Sequence, residues 1–183
     1  MLFRSLWDVL HKCRRAGSSD AKIDLKGFPP VVDDDADQLI LGSFPSVQSL
    51  ATHQYYGNPR NAFWPITGEL FGFDASAPYE TRLAALQSAD VALWDVLRRC
   101  RRVGSSDAKF DMKRLVANDF GQLFATYPSI TRVYFNGRAA ERLYARMVDV
   151  DAAVEYELLP STSPARAMPA NQKLQAWRVI APS

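Results

Sequence analysis

Histidine and cysteine are scarce in this 183-residue chain: it holds His11 and His53, Cys13 and Cys100, and no more of either. No CxxC pair occurs, and no Cys stands in a cluster with His. A structural zinc site or an iron–sulfur cluster needs such clusters, so both are excluded as expectations. Two histidines also leave a multi-histidine metal centre short of ligands. No apolar run approaches the ~20 residues of a membrane-spanning helix. The opening MLFRSLWDVLHKCRR has no apolar core followed by a small-residue cleavage site. The expectation is a cytoplasmic protein without membrane contact. Net charge is only +2, so the global balance does not point to a polyanionic partner.

What is present suits one domain with a substantial core: 48% hydrophobic residues and 23% charged. Arginines are locally dense, at Arg98, Arg99, Arg101 and Arg102 and again at Arg138, Arg142 and Arg146. Local patches matter more than the sum for phosphate binding. One segment is duplicated. Leu6 to Lys26 and Leu93 to Lys113 share 16 of 21 residues at a constant offset of 87. A single duplication cannot make a solenoid, which needs several stacked repeats. The first copy is either a second site loop or a leader outside the domain. The expected division is a leader over 1–26, copying 88–113, and a domain over 27–183.

Hydrophobic patterning predicts strands at Gln38–Leu41, Val91–Leu97, Thr131–Phe135 and Glu155–Leu159. Helical spacing predicts helices over Asn61–Phe71, Tyr79–Ala89, Asn118–Tyr127, the stretch after Gly137, and Gln172–Ile180. Asn118 has the chemistry of an N-cap, and Arg98–Lys113 reads as a long basic loop. Alternating strands and helices predict an α/β fold on a parallel sheet, with helices on both faces. Three strand exits carry polar chemistry: Gly42–Asn61, Asp95–Asp107 and Ser161–Arg166. Parallel strands bring those exits to one edge, where ligands bind.

GSFPS at Gly42–Ser46, QYYGNPRNAFW at Gln54–Trp64, ALWDVL at Ala92–Leu97 and LPSTSPA at Leu159–Ala165 together resemble the uracil-DNA glycosylase superfamily. Within it they look most like the hypoxanthine-DNA (deoxyinosine) glycosylase branch, related to the mismatch-specific G·U and G·T enzymes. The resemblance covers roughly Phe28 to Ile180. It implies a three-layer α/β/α sandwich on a four-stranded parallel sheet. It also implies hydrolysis of the N-glycosidic bond of a flipped-out deaminated base, without metal or cofactor. The implied partner is double-stranded DNA containing that base, met by a monomer. Two further readings stand beside it: a catalytically inactive module that binds damaged or mismatched DNA, and a small-molecule nucleoside hydrolase.

The resemblance assigns roles residue by residue. Asn61 matches the asparagine thought catalytic in the hypoxanthine branch; an amide can orient water by hydrogen bonds, and the same residue type suits a helix N-cap. Ser43 stands where other branches carry Asp or Asn, and is the second catalytic candidate. Tyr56 matches the aromatic that stacks on the base; its other reading is core packing. The backbone at Gly42, Ser43 and Phe44 could bind a base carbonyl as an oxyanion hole does. Asp95 matches a base-reading position, or else pairs with a nearby arginine. Ser161, Thr162, Ser163 and Pro164 match the loop that enters the minor groove, with Arg166 beside it; the plain alternative is a Pro-flanked turn. The uracil-specific branch has a histidine in that loop and this chain has none. His53 reads as a surface loop residue.

Overall fold

Leu39-Ile40-Leu41 and Val91-Ala92-Leu93 contain no polar residue, so both faces of such strands must be covered. The computed structural model, which describes residues 22–103 and 114–181, covers them with helices. Strand β1 is Lys22–Lys26, β2 is Gln38–Gly42, β3 is Val91–Asp95 and β4 is Leu97–Val103. Strand β5 is Val116–Ala117, β6 is Arg132–Asn136 and β7 is Glu155–Leu159. The helices are α1 Val47–Thr52, α2 Phe63–Phe71, α3 Tyr79–Gln87, α4 Phe120–Thr126, α5 Arg138–Met147 and α6 Ala170–Trp177, which runs into a 3₁₀ turn at Arg178–Ile180.

The main sheet has four parallel strands in the order β3-β2-β6-β7. Leu39, Leu41, Ala92, Trp94, Val133 and Phe135 pack on one face, against Leu50 of α1, Phe120 and Leu123 of α4, and Ala140, Leu143 and Tyr144 of α5. Ile40, Val91, Leu93, Tyr134 and Leu159 pack on the other, against Phe63, Trp64 and Ile66 of α2, Leu86 of α3 and Trp177 of α6. This is the expected three-layer α/β/α sandwich. Among the described residues no helix is long and apolar enough to cross a membrane.

Four details depart from the sequence reading. The predicted strand Val91–Leu97 breaks after Asp95, and Leu97–Val103 enters a separate antiparallel sheet of order β1-β4-β5. Much of the expected basic loop is therefore strand; Gly104 to Lys113 lies outside the described residues. The loop after β2 contains the short helix α1, capped by Ser46, whose Oγ accepts from Ser49 N at 3.1 Å. Helix α4 is capped by Asp119, which accepts from Gln122 N at 2.9 Å, and not by Asn118. Asn118 is buried instead, and its Nδ2 donates to the Asp95 carbonyl at 2.7 Å.

The last five residues of the duplicated leader form β1, in register with β4 from Lys22↔Val103 to Lys26↔Arg99. The strand lies five residues before the expected domain start at Gly27. The rest of the leader, with Asp8, lies outside the described residues. Leu25 pairs with Cys100 and packs against the core, and Arg101 makes a two-pronged ion pair with Asp24 at 2.7 and 2.8 Å. A chain starting at Gly27 is thus expected to melt below one starting at Lys22, because it loses the Leu25 contact and a five-residue ladder; thermal denaturation of the two compares them directly.

Candidate active site

Side chains alternate across a strand, so residues two beyond an inward-facing position share its face. Ile40, Leu93 and Tyr134 all face the layer built by α2, α3 and α6. Gly42, Asp95 and Asn136 are two residues further on, at the carboxyl ends of β2, β3 and β6. The register sets Gly42 opposite Asp95, and Leu41 opposite Phe135. The three strand ends therefore form a row: carboxylate, glycine, carboxamide. The glycine leaves the gap. A Cβ on Gly42 would come within 2.2 Å of Asp95 Oδ1 and 3.5 Å of the Tyr56 hydroxyl. Above the row is a cavity of ≈ 170 Å³, lined by Gly42, Ser43, Phe44, Tyr56, Asn61, Asp95, Asn136 and Ser161–Ser163 among others.

Tyr56 reaches the cavity through a strained backbone, with φ at 54°. A left-handed conformation costs a bulky residue about 1–3 kcal/mol, so its neighbours must hold it. They do. Tyr55 N donates to the Tyr79 hydroxyl at 3.0 Å, the Tyr55 hydroxyl donates to Pro29 O at 2.9 Å, and Tyr55 O accepts from Trp64 Nε1 at 3.1 Å. Gly57 N donates to the buried Ser49 Oγ at 3.0 Å. The Tyr56 ring stacks on Phe63 with centroids 3.8 Å apart and planes at 17°. Such a pair contributes about 0.5–1.5 kcal/mol beyond its buried area.

Asp95 Oδ2 is buried at the cavity with no hydrogen-bond partner, and the Tyr56 hydroxyl, also buried there, meets only the Asn136 side chain, outside good hydrogen-bond geometry. Leaving one such atom unpaired costs about 1–3 kcal/mol. Desolvation pushes the Asp95 carboxyl up to about 7. The Tyr56 hydroxyl is raised too, by burial first and then by the Asp95 charge. Asp95 is 4% exposed and makes no ion pair among the described residues, so the arginine-pair reading fails. The reason is β4: its turn away from the sheet carries Arg98 and Arg99 out to solvent.

Asn61 lines the same cavity, just before α2. Its Oδ1 accepts from Phe63 N at 3.0 Å in a turn just before the helix, whose N-cap position is Ala62, and its N–H donates to Asn58 O at 2.8 Å. Bonding through one lone pair of Oδ1 fixes the carboxamide and leaves the second lone pair and Nδ2. Ser43 lines the cavity, and its carbonyl accepts from Leu97 N at 3.1 Å. The ring of Phe44 is buried in the core beneath.

The Ser161–Arg166 loop divides in two. Thr162 is wholly buried, contrary to a phosphate-contacting role. Its Oγ1 accepts from Asn136 Nδ2 at 2.9 Å, its N–H donates to Asn136 Oδ1 at 2.8 Å, and its carbonyl accepts from Ala62 N at 3.0 Å. It ties β6, this loop and the Asn61 segment together. Ser161 and Ser163 are partly exposed at the cavity, and Pro164 and Arg166 are exposed. Asn136, known from the sequence only as a strand stop, is the cavity residue that reading missed; its place two residues past inward-facing Tyr134 was the available signal. His53 is exposed at the end of α1. Among the described residues no three His, Cys, Asp or Glu side chains are grouped to hold a metal ion.

Comparison with known proteins agrees with this geometry. The family model described as the uracil DNA glycosylase superfamily matches residues 29–181. A protein of Methanosarcina acetivorans named hypoxanthine DNA glycosylase is 35% identical over 156 residues, spanning 85% of this chain and 96% of its own. One of the same name from Methanosarcina barkeri is 41% identical over 114 residues, 62% of this chain and 71% of its own. A solution NMR structure from Methanosarcina acetivorans, solved as a candidate uracil DNA glycosylase, superposes with a TM-score of 0.70 at 35% identity, covering 86% of this chain and 99% of that one. The chain belongs to the uracil DNA glycosylase superfamily.

Proposed function

We propose that the protein excises hypoxanthine from double-stranded DNA by hydrolysing the N-glycosidic bond of a flipped-out deoxyinosine. The observation that carries this reading is the convergence of Asn61, Tyr56 and Asp95 on one cavity, with Asp95 Oδ2 buried and unpartnered. Unpaired buried polar atoms aimed into a cavity await a polar ligand. Hypoxanthine offers one: a ring N–H beside a carbonyl. A neutral Asp95 carboxyl presents both an acceptor and a donor to that edge. The free face of Tyr56 stacks on the base, a contact of about 1–3 kcal/mol. The names of the two Methanosarcina relatives point to the same base.

The chemistry then needs little from the protein. Flipping costs a few kcal/mol and exposes the sugar–base bond. As the C1′–N9 bond breaks, the sugar becomes oxocarbenium-like and the base takes the bonding electron pair. Asn61 holds the water that adds to C1′, and the proton this water gives up neutralises the departing hypoxanthine anion. The partly exposed Ser161 and Ser163, with Arg166, meet the phosphates, while buried Thr162 holds their loop in place. The protein acts as a cytoplasmic monomer.

The deciding measurement is base release from labelled I·T, U·G, T·G and single-stranded substrates. Release from I·T well above the others supports the reading. Release of none from duplex sinks it in favour of a binding module, and cleavage of free deoxyinosine alone favours a nucleoside hydrolase. Asn61→Ala is expected to slow single-turnover release by roughly 10²-fold or more while retaining inosine-duplex binding. A purely structural role for its turn would instead cost ~1 kcal/mol of stability and little rate.

Asp95 makes a pH prediction with a definite sign. The folded protein keeps this proton up to about 7, whereas the unfolded carboxyl releases it near 3.8. Folding therefore takes up a proton between those values, and stability falls as pH rises through the window. Urea midpoints at about pH 5 and about pH 8 should show that loss in the wild type and not in Asp95→Asn. Hypoxanthine release by the wild type should decline over the same rise.

A further inference from the structure

Among the described residues two Asp, Glu, Lys or Arg side chains are buried, Asp95 and Lys173, and the chemistry above uses only the first. Lys173 lies on α6, 4% exposed, at a helix position whose neighbours Leu174 and Trp177 are core residues. Drawing an ammonium there away from water is unfavourable in a way that an apolar residue of similar size would avoid. Burial holds its proton affinity down, and the charge of Arg166 adds to that. Its Nζ donates to Ser163 O at 3.2 Å.

That carbonyl is the hinge of the exposed half of the loop. Ser163 O also accepts from Arg166 N at 3.1 Å, and Ser163 Oγ accepts from Ala165 N at 3.3 Å. Three loop carbonyls thus face inward, each taken by a different donor: Pro160 by Trp177 Nε1, Thr162 by Ala62 N and Ser163 by Lys173 Nζ. The first two donors are neutral. The third is charged, and it is the one beneath Pro164, Ala165 and Arg166. Resting on the reading of this loop as a DNA contact, we propose that Lys173 is a positioning residue for duplex binding: its buried ammonium fixes the Ser163–Arg166 turn in the shape that meets the phosphate backbone.

Lys173→Met and Lys173→Gln test this, with Arg166→Ala alongside, in single-turnover release from an inosine-containing duplex. Hydrogen bonds from charged donors carry enough energy that the half-saturating enzyme concentration should rise about 10-fold in Lys173→Met. Its rate at saturation should hold, and its melting temperature should hold or rise because a buried charge is gone. Lys173→Gln keeps an N–H donor and should fall between wild type and Lys173→Met. A merely structural lysine would instead lower the melting temperature and leave half-saturation unmoved. An unmoved half-saturation overturns the proposal, as does a saturated rate that falls in step with binding or a failure of both variants to fold. Arg166→Ala separates the two layers: if it binds duplex like the wild type, the DNA-loop reading fails; if it binds weakly and the Lys173 variants do not, only the lysine proposal fails.

Discussion

The parallel register of β3, β2 and β6 is the constraint on which the site depends. Gly42 lies opposite Asp95, and the pairing of Leu41 with Phe135 brings Asn136 level with Gly42, so Asp95, Gly42 and Asn136 end their strands side by side on one face. A one-residue slip of any strand would turn its end residue to the opposite face. The buried strands prevent that slip, since both faces of each are packed against helices. The same hydrophobic burial that folds the sheet thereby fixes a carboxyl, a gap and a carboxamide in line.

The second constraint is the Asn136–Thr162 pair. Two reciprocal hydrogen bonds, each worth about 1 kcal/mol net, fasten the β7 exit loop to the β6 end. Gly137, at φ 94°, permits the close approach: a Cβ there would sit 2.6 Å from Ser161 Cβ. Through its carbonyl Thr162 also reaches the amide of Ala62, next to Asn61. The Asn61 segment and the Ser161–Arg166 loop are therefore two ends of one hydrogen-bonded unit.

The cavity is maintained against local cost. Tyr56 is strained in its backbone, and Asp95 holds a buried polar atom unpaired. Each departure costs on the order of 1–3 kcal/mol. The aromatic cluster of Tyr55, Phe63, Trp64 and Trp177 on the same face offsets this. Rigid surroundings let the site remain unsatisfied until a ligand completes it, which is the structural meaning of preorganisation.

The sequence by itself determined the four-stranded sheet, the helices of both outer layers other than α1, and the edge at which polar residues gather, because burial imposes period two on strands and 3.6 on helices. The motifs at Gly42–Ser46, Gln54–Trp64, Ala92–Leu97 and Leu159–Ala165 were enough to suggest the family. It did not reveal the break after Asp95, since VALWDVL is apolar on both sides of it and the change of sheet rests on long-range pairing of β4 with β1 and β5. Nor did it separate Thr162 from Ser161 and Ser163, three hydroxyl residues in a row whose exposure depends on what Asn136 and Ala62 bring against them. Asn118 looked like a cap and is a buried donor to the Asp95 backbone; Lys173, within the predicted helix Gln172–Ile180, lies inside. Local chemistry is written in each residue type. Which of these polar groups are buried, and against what partner, only the tertiary contacts decided.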